Sequence, residues 1–579
     1  MPTTARSNHS RTSILPWAMP TLLPALAPRR VIIVGGGAAG LACASTILAA
    51  GTTDVVLLEA SQRIGGRCRT EAIIPGAGAC ELGATWFHGC QGNPAWHLAK
   101  DIGLLPTTAD VQKGRERTAH RAAAARRETL RSDGRAVDLK AVHAVREVLG
   151  TAVEECEEGL AAQASASVGA HANAAWASAR PSLVERHGDA ALLTAAWRAC
   201  VAFQCAVDGC GDLAEQGTAA YSNYDEFDDR MAASHCEVGG FSKAMDSLAA
   251  PLRERGALRL GCQVASVRWG GAEGSADVEG SAHAEGEGDG AAAGVEVVCA
   301  DGSRLSADAV CLALPLPPLR QLHFVPPLPP SKAAALGQVQ LGQVEKLYVV
   351  FELEPGAPSD ASELGGVSLL WVEEEAEAKA EEEAEAKAEA QAQAHAHAEA
   401  TVEARAPEAA TASHWTRGLY SLHRSAHEAQ MEECDKEAHM AEETDAARAE
   451  EAARRAARRL VLIGWLTGAS ARAVSGRGGS SLLGELCAGL APFLERLRPW
   501  RPVECHVTSW CADPHFGGSY SFPTPTAPAD VADVLAEPLL DARGTLRVSF
   551  AGEHTSKRHF ATVAGAIESG RREAKLLCV

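Results

Sequence analysis

Val31-Ile32-Ile33-Val34-Gly35-Gly36-Gly37-Ala38-Ala39-Gly40, followed by small residues through Ala50 and then by Asp54-Val55-Val56-Leu57-Leu58-Glu59, is the stretch that decides the fold. The β-branched run reads as a buried strand, the glycines as a turn, the small residues as a helix and the second apolar run as another strand. Gly35, Gly37 and Gly40 stand in G-x-G-x-x-G spacing, and Glu59 closes the second strand. In such a turn one glycine makes the tight bend, one lets the backbone approach a pyrophosphate, and one lets helix and strand pack closely. The helix N-terminus adds unpaired amides and the positive end of its dipole, which puts Ala39 among the candidate phosphate contacts. Glu59 is placed to accept hydrogen bonds from ribose hydroxyls. Glycines alone are weak evidence; strand, helix and distal acid together make this a Rossmann-type dinucleotide site.

Further strand candidates are Ala257 to Trp269, Val295 to Ala300, Ala309 to Ala313, Lys346 to Phe351, Leu460 to Leu466 and Arg547 to Ala551. Helical patterns fill Pro94 to Ile102, Phe241 to Arg255, Leu482 to Arg496 and Gly565 to Leu577. Two stretches read as tolerated inserts with little to bury: 270–294, rich in Gly, Ala, Ser and acid, and the Ala/Glu run within 373–451. His395 and His397 alternate inside the second and read as part of a solvated face rather than a metal site. Residues 1–28 carry Arg6 and Arg11 and no acid, the composition of an organelle transit peptide or of a disordered leader.

At 579 residues the chain exceeds what one hydrophobic core usually supports, so two associated domains are expected. A hydrophobic fraction of 46% is ordinary for a globular protein, and no uncharged apolar run is long enough to span a membrane. The net charge of −20 disfavours nucleic acid as a partner and favours cationic ligands. The 17 cysteines show no C-x-x-C pair, the pattern of reduced thiols in a cytoplasmic or organellar interior, and no metal site is expected.

Beyond Glu59 comes Arg63-Ile64-Gly65-Gly66-Arg67, where the chain begins to resemble the flavin-containing amine oxidase family and its Glu-Ala-x-x-Arg-x-Gly-Gly-Arg run. The resemblance continues through Glu81-Leu82-Gly83-Ala84-Thr85-Trp86-Phe87-His88-Gly89, Val238-Gly239-Gly240-Phe241-Ser242-Lys243, Asp513 to Phe522 and Phe550-Ala551-Gly552-Glu553-His554-Thr555. Within the family these blocks look most like the polyamine oxidases. The resemblance implies an α/β architecture: a Rossmann-type FAD-binding domain (29–106, 235–322, 505–579) interleaved with an α+β substrate-binding domain (107–234, 323–504).

It also implies the chemistry. A neutral amine loses hydride from the carbon beside nitrogen to the flavin, the imine is hydrolysed to an aldehyde and a shorter amine, and oxygen reoxidises the cofactor to give hydrogen peroxide. FAD is expected to be non-covalent, because Ser519 stands where monoamine oxidases carry the attaching cysteine. Besides Gly35, Gly37, Ala39, Gly40 and Glu59, cofactor contacts are expected from Arg67, from Val264 beside adenine, from Glu553 near the ribityl or phosphate groups, and from Thr562 and Val563. Lys346 is expected at the flavin face as a catalytic group, with His88 orienting the amine or accepting its proton. Trp86, Tyr520 and Phe522 are candidate aromatic walls for substrate. Polyamine oxidation is thus the leading expectation. The alternatives are a flavin-dependent lysine demethylase-like oxidase and a non-catalytic FAD-binding protein; the oligomeric state stays open.

Overall fold

Arg30–Val34 is buried from Val31 onward and lies between two parallel neighbours, Asp54–Leu58 and Ala309–Leu312. In this computed structural model, which describes residues 30–51, 54–75, 78–105, 126–161, 165–227, 231–233, 239–270, 294–357, 364–373, 415–424 and 459–578, these strands are the centre of a six-stranded sheet. Its order is Leu539–Leu540, Leu546–Phe550, Ala309–Leu312, Arg30–Val34, Asp54–Leu58, Leu258–Arg259, with only the outermost Leu539–Leu540 antiparallel. Near-continuous apolar strands are what a parallel sheet covered on both faces requires.

Successive side chains of a strand point to opposite faces, and the core divides accordingly. Val31 and Ile33 pack with the helices Ala38–Ala49, Gly240–Glu254 and Val563–Leu577 through Leu41, Ile47, Phe241, Leu252 and Ile567. Ile32 and Val34 pack with Val267, Val295 and Val297 of a four-stranded sheet and with Leu316 and Leu336. The turn after Val34 is therefore pinned between two filled cores, a rigid base for a ligand site.

A second six-stranded sheet runs Trp500–Val507, Val344–Leu353, Arg459–Thr467, Ser421–Arg424, Leu364–Leu370, Arg126–Arg131. The helix Gly479–Leu497 covers one face with Leu482, Leu486, Leu490 and Phe493, a helical repeat of buried positions. Three helices, Leu139–Glu157, Val168–His187 and Ala190–Asp208, share a further core. By length and composition Ala190–Asp208 is apolar enough to cross a membrane, yet Leu192, Leu193, Ala196 and Cys205 are buried within this helical core.

Four segments differ from the sequence reading. Ala257 to Trp269 is two strands in two different sheets, Leu258–Arg259 and Val264–Arg268, because Gly261 turns the chain with φ of 70°. A domain boundary after residue 322 would cut off His323–Val325, which pairs with Val264–Arg268 and buries Phe324 in the core beneath the first sheet. The boundary at 505 falls inside the strand Trp500–Val507. Within 373–451, the helical turn Trp415–Gly418 leads into Ser421–Arg424, which joins the second sheet, and Trp415, Leu419 and Leu422 are buried in its core. The leader 1–28, the insert residues 271–293, His395, His397 and Val238 lie outside the described residues.

Candidate active site

Each glycine of the opening turn meets a different constraint. Gly35 has φ of 108°, and a Cβ there would stand 2.4 Å from the Ala313 carbonyl oxygen. A Cβ on Gly40 would stand 2.0 Å from the Gly35 carbonyl oxygen, so this position is reserved for close packing of helix on turn. Gly37, the N-cap of Ala38–Ala49, has nothing within 4 Å of an added Cβ. That open cradle, at a helix end with unpaired amides from Ala38 to Gly40, is where a pyrophosphate fits. Ala39 itself is buried, its carbonyl against Gly570 of Val563–Leu577, so only its backbone amide is offered.

A pair of substitutions separates the two roles. Gly37→Val is expected to leave thermal stability within about 1 kcal/mol while FAD affinity falls tenfold or more, whereas Gly40→Ala should cost about 3 kcal/mol of stability outright. Thermal unfolding and FAD titration of both variants would check this.

Around the cradle lie the other expected cofactor contacts. Glu59 accepts from the Gly36 amide at 2.7 Å through one oxygen and from the Ser61 amide and hydroxyl, both at 2.8 Å, through the other. Its backbone carbonyl accepts from Cys262 N–H at 2.8 Å, which draws the start of Val264–Arg268 alongside. Gly65 and Gly66 approach the same turn: the Gly65 amide donates to the Gly36 carbonyl at 2.8 Å, and a Cβ on Gly66 would come within 3.2 Å of the Gly37 Cα. Glu59, Val264 and the 63–67 loop are thus brought to one end of the sheet.

Arg67 and Glu553 join across the chain. The Arg67 guanidinium donates to Glu553 at 2.8 Å and to the Ser519 carbonyl at 2.7 Å. The other Glu553 oxygen accepts from the Ser521 hydroxyl and from the Ala561 amide, the latter at 2.9 Å. Burial acts to raise the Glu553 carboxyl, but the Arg67 guanidinium and the donated hydrogen bonds hold it below the usual carboxylate range. Glu553, expected near the ribityl or phosphate groups of the cofactor, is 4% exposed and ties together four chain segments. Ala561 has φ of 62°, a left-handed conformation costly for a residue with a Cβ, and its amide is fixed by Glu553. Thr562 then caps the helix Val563–Leu577 by accepting from the Gly565 amide at 3.0 Å. A second helix N-terminus, with Val563 at its first position, thereby reaches the same network.

Lys346 stands near the start of Val344–Leu353, and its ammonium donates to the carbonyls of Glu81 at 2.8 Å and Gly83 at 2.5 Å and to the Thr85 hydroxyl at 2.5 Å. Gly83 is itself indispensable, since a Cβ there would lie 1.8 Å from the Arg67 carbonyl oxygen. The lysine is therefore tied to the segment that passes behind Arg67. Directly after Thr85, Trp86–His88 forms a short strand paired with Met231–Ala233. Trp86 is 40% exposed, and Asn93 holds the His88 and Gly89 carbonyls at 3.0 Å each. Burial lowers the His88 imidazole below its ordinary range, and no side chain among the described residues bonds it.

The two remaining aromatic candidates part company. The Tyr520 hydroxyl donates to the Ala206 carbonyl, and the ring lies against Gly209, just beyond the end of Ala190–Asp208. Its own carbonyl accepts from Gly342 at 2.7 Å, four residues before Lys346. Phe522 is 3% exposed and belongs to the core of the three helices, so its side chain serves packing rather than a substrate wall.

Several residues that the sequence reading passed over complete the site. Glu345 is fully buried and accepts from Ser475 at 2.7 Å, from the Cys511 amide at 2.8 Å and from Thr508 at 2.5 Å; Thr508 in turn accepts from the Lys346 amide at 2.8 Å. This clamp fixes the backbone from which Lys346 projects. Glu81 accepts from the Phe241 amide and from Thr70, both at 2.8 Å, and so anchors the carbonyl turn that receives the ammonium. A signal for Glu345 existed: an acid inside an otherwise apolar strand has to be paired.

Comparison with known proteins identifies the family. The profile of the family described as flavin containing amine oxidoreductase matches residues 38–382 and 442–578. The chain is similar to polyamine oxidase 1 of Oryza sativa subsp. japonica, 26% identical over 95% of this chain and 96% of the relative. It is also similar to the human peroxisomal N(1)-acetyl-spermine/spermidine oxidase, 25% identical over 95% of this chain and 94% of the relative. Among solved structures, a putrescine oxidase bound to putrescine shares the fold, with a TM-score of 0.55 at 18% identity over 94% of this chain and 98% of the other.

Proposed function

This chain belongs to the flavin containing amine oxidoreductase family and is an FAD-dependent amine oxidase, and from that premise we propose that it oxidises polyamines such as spermine, spermidine or their acetylated forms. The likeness to polyamine and acetylpolyamine oxidases along nearly the whole chain supports the choice of substrate. The observation that carries the mechanism is the Lys346 ammonium lodged in the 81–85 turn beside the Arg67–Glu553 network.

The residues present fit FAD. Gly35 to Gly40 and the helix behind them would hold the pyrophosphate, Glu59 the ribose, the backbone near Val264 the adenine, and the Ala561 to Val563 helix start the flavin end. Ser519 offers no thiol for a thioether, so the cofactor is held without a covalent bond. When bound, the flavin supplies a two-electron acceptor for the carbon beside the amine nitrogen, and dioxygen takes those electrons on to hydrogen peroxide. The overall change is secondary amine plus oxygen plus water to aldehyde, shorter amine and peroxide.

The chain's own groups position and desolvate the amine. Burial lowers the His88 imidazole pKa, and an alkylammonium is a far weaker acid than an imidazolium, so full proton transfer to the ring runs uphill. The neutral ring therefore serves as an acceptor that orients the amine N–H, and the proton leaves to solvent before the amine settles. Lys346 supplies a fixed positive charge and donor at the 81–85 turn.

The test is incubation of FAD-loaded protein with spermine, spermidine and N1-acetylspermine, with peroxide assay and mass spectrometry of the products. One peroxide, one aldehyde and one shorter amine per turnover are expected. Absence of peroxide with every polyamine, alongside demethylation of a methyl-lysine peptide, would transfer the assignment to a demethylase-like oxidase.

A further inference from the structure

The turn that receives Lys346 has most of its polar atoms already engaged. Leu82 O accepts from the Trp510 indole at 2.9 Å, and Glu81 O accepts from the Tyr348 hydroxyl at 2.7 Å as well as from Lys346 at 2.8 Å. The Ala84 amide donates to the Arg67 carbonyl at 3.1 Å. An ammonium carries three hydrogens. Those of Lys346 go to Glu81 O, to Gly83 O at 2.5 Å and to the Thr85 hydroxyl at 2.5 Å. The lysine thus directs each of its donors at the chain itself, and its charge reaches a bound molecule by way of one of these three acceptors.

Two of the three are carbonyl oxygens, which have no hydrogen to pass on. The third is a hydroxyl, with a hydrogen of its own. Thr85 Oγ1 donates to Gly83 O over 3.3 Å, beyond the range of a good O–H···O bond and onto an oxygen already held by the ammonium. A hydroxyl hydrogen rotates to suit its surroundings, so a better acceptor alongside takes it. Accepting from a cation also makes Thr85 a stronger donor, because hydrogen bonds in series polarise one another.

The place suits such an acceptor. Gly83 to Thr85 are half-buried and Trp86 is exposed, whereas Leu82 and Phe87 on either side are buried, so the segment opens at these residues alone. The opening begins at the glycine packed on the Arg67 carbonyl and ends at the strand that carries His88. The lysine has no slack either: its amide donates to the Thr508 hydroxyl at 2.8 Å, and the Thr508 amide donates to its carbonyl at 3.0 Å. Between a fixed ammonium and a fixed turn, the Thr85 hydroxyl hydrogen is the part that can turn.

We propose that Thr85 is the donor through which Lys346 acts: its hydroxyl, polarised by the ammonium, hydrogen-bonds an acceptor atom of the bound flavin ring and favours the reduced cofactor. The ring gains electron density on reduction, and a donor with a positive charge behind it stabilises that density. This inference rests on the placement of Lys346 at the flavin face and adds the group that carries the lysine's charge to the cofactor.

The experiment is spectroelectrochemical titration of FAD-loaded protein without substrate, for the parent chain, Thr85→Val, Thr85→Ser, Lys346→Met and the Thr85→Val, Lys346→Met double variant. Loss of the donor in Thr85→Val predicts about a tenfold bias toward the oxidised cofactor, a potential about 30 mV more negative for a two-electron couple, and Thr85→Ser should keep the parent value. In the Lys346→Met background the valine should add less than about threefold, since a hydroxyl without the cation behind it is an ordinary donor. Thr85→Ala decides the matter if the valine variant does not retain FAD. A potential in Thr85→Val within about twofold of the parent, about 9 mV, or full additivity of the two changes, would overturn the inference. An unmoved potential in Lys346→Met would take the lysine away from the flavin face and this inference with it, whereas a shift in Lys346→Met without one in Thr85→Val would remove the threonine alone.

Discussion

Lys346→Met is expected to keep FAD bound and to lose turnover by about a hundredfold or more, the scale of a positioned acid–base or donor group. Methionine fills a similar linear volume without a donor. The Glu81 carbonyl would keep the Tyr348 hydroxyl at 2.7 Å, and Arg67, Glu553 and the glycine turn are untouched, so the fold and the cofactor cradle survive. Rapid mixing with spermine under anaerobic conditions, alongside the FAD content of the purified variant, separates loss of chemistry from loss of cofactor. Turnover within threefold of the parent would remove the lysine from the mechanism.

Glu553→Ala should be the most damaging single change to the framework. It strands Arg67, the Ser521 hydroxyl and the Ala561 amide at once. Removing one partner of a buried ion pair costs about 3–5 kcal/mol, and because 23% of the Arg67 side chain is exposed we expect the lower end, about 3 kcal/mol, together with loss of FAD on purification. Thermal unfolding with and without added FAD measures both. The same group sets an acid limit. Its folded carboxyl lies below the ordinary value of 4.5, so the stabilisation is fully present above that value and is lost as pH falls through the depressed one. Glu553→Gln should flatten that acid-side loss.

The glycine turn, its strands and Glu59 were legible because their constraints are local: spacing, period and a short reach along the chain carry them. Lys346 was legible only through its surrounding motif, since a lysine at a strand start is ordinarily a surface charge. The Arg67–Glu553 pair spans nearly the whole chain, and nothing local says that these two residues would meet. Phe522 lies within the strand Ser521–Pro523, paired with Val339–Leu341, and is buried, whereas Tyr520 lies just before that strand and puts its hydroxyl on the Ala206 carbonyl, a difference that no local pattern announced. Gly261 shows the converse: one glycine in an apolar run was the local mark that a long strand had to break.

The account depends on three distant segments, Gly35 to Gly40, Arg63 to Arg67 and Glu553 to Val563, closing around one cofactor. Titration of cofactor-stripped protein with FAD, followed by denaturation, measures that directly. The expected result is one FAD bound per chain, released intact on unfolding, with affinity reduced in Gly37→Val. Folded protein that takes up no FAD, or that binds it equally well with valine at position 37, would contradict the arrangement.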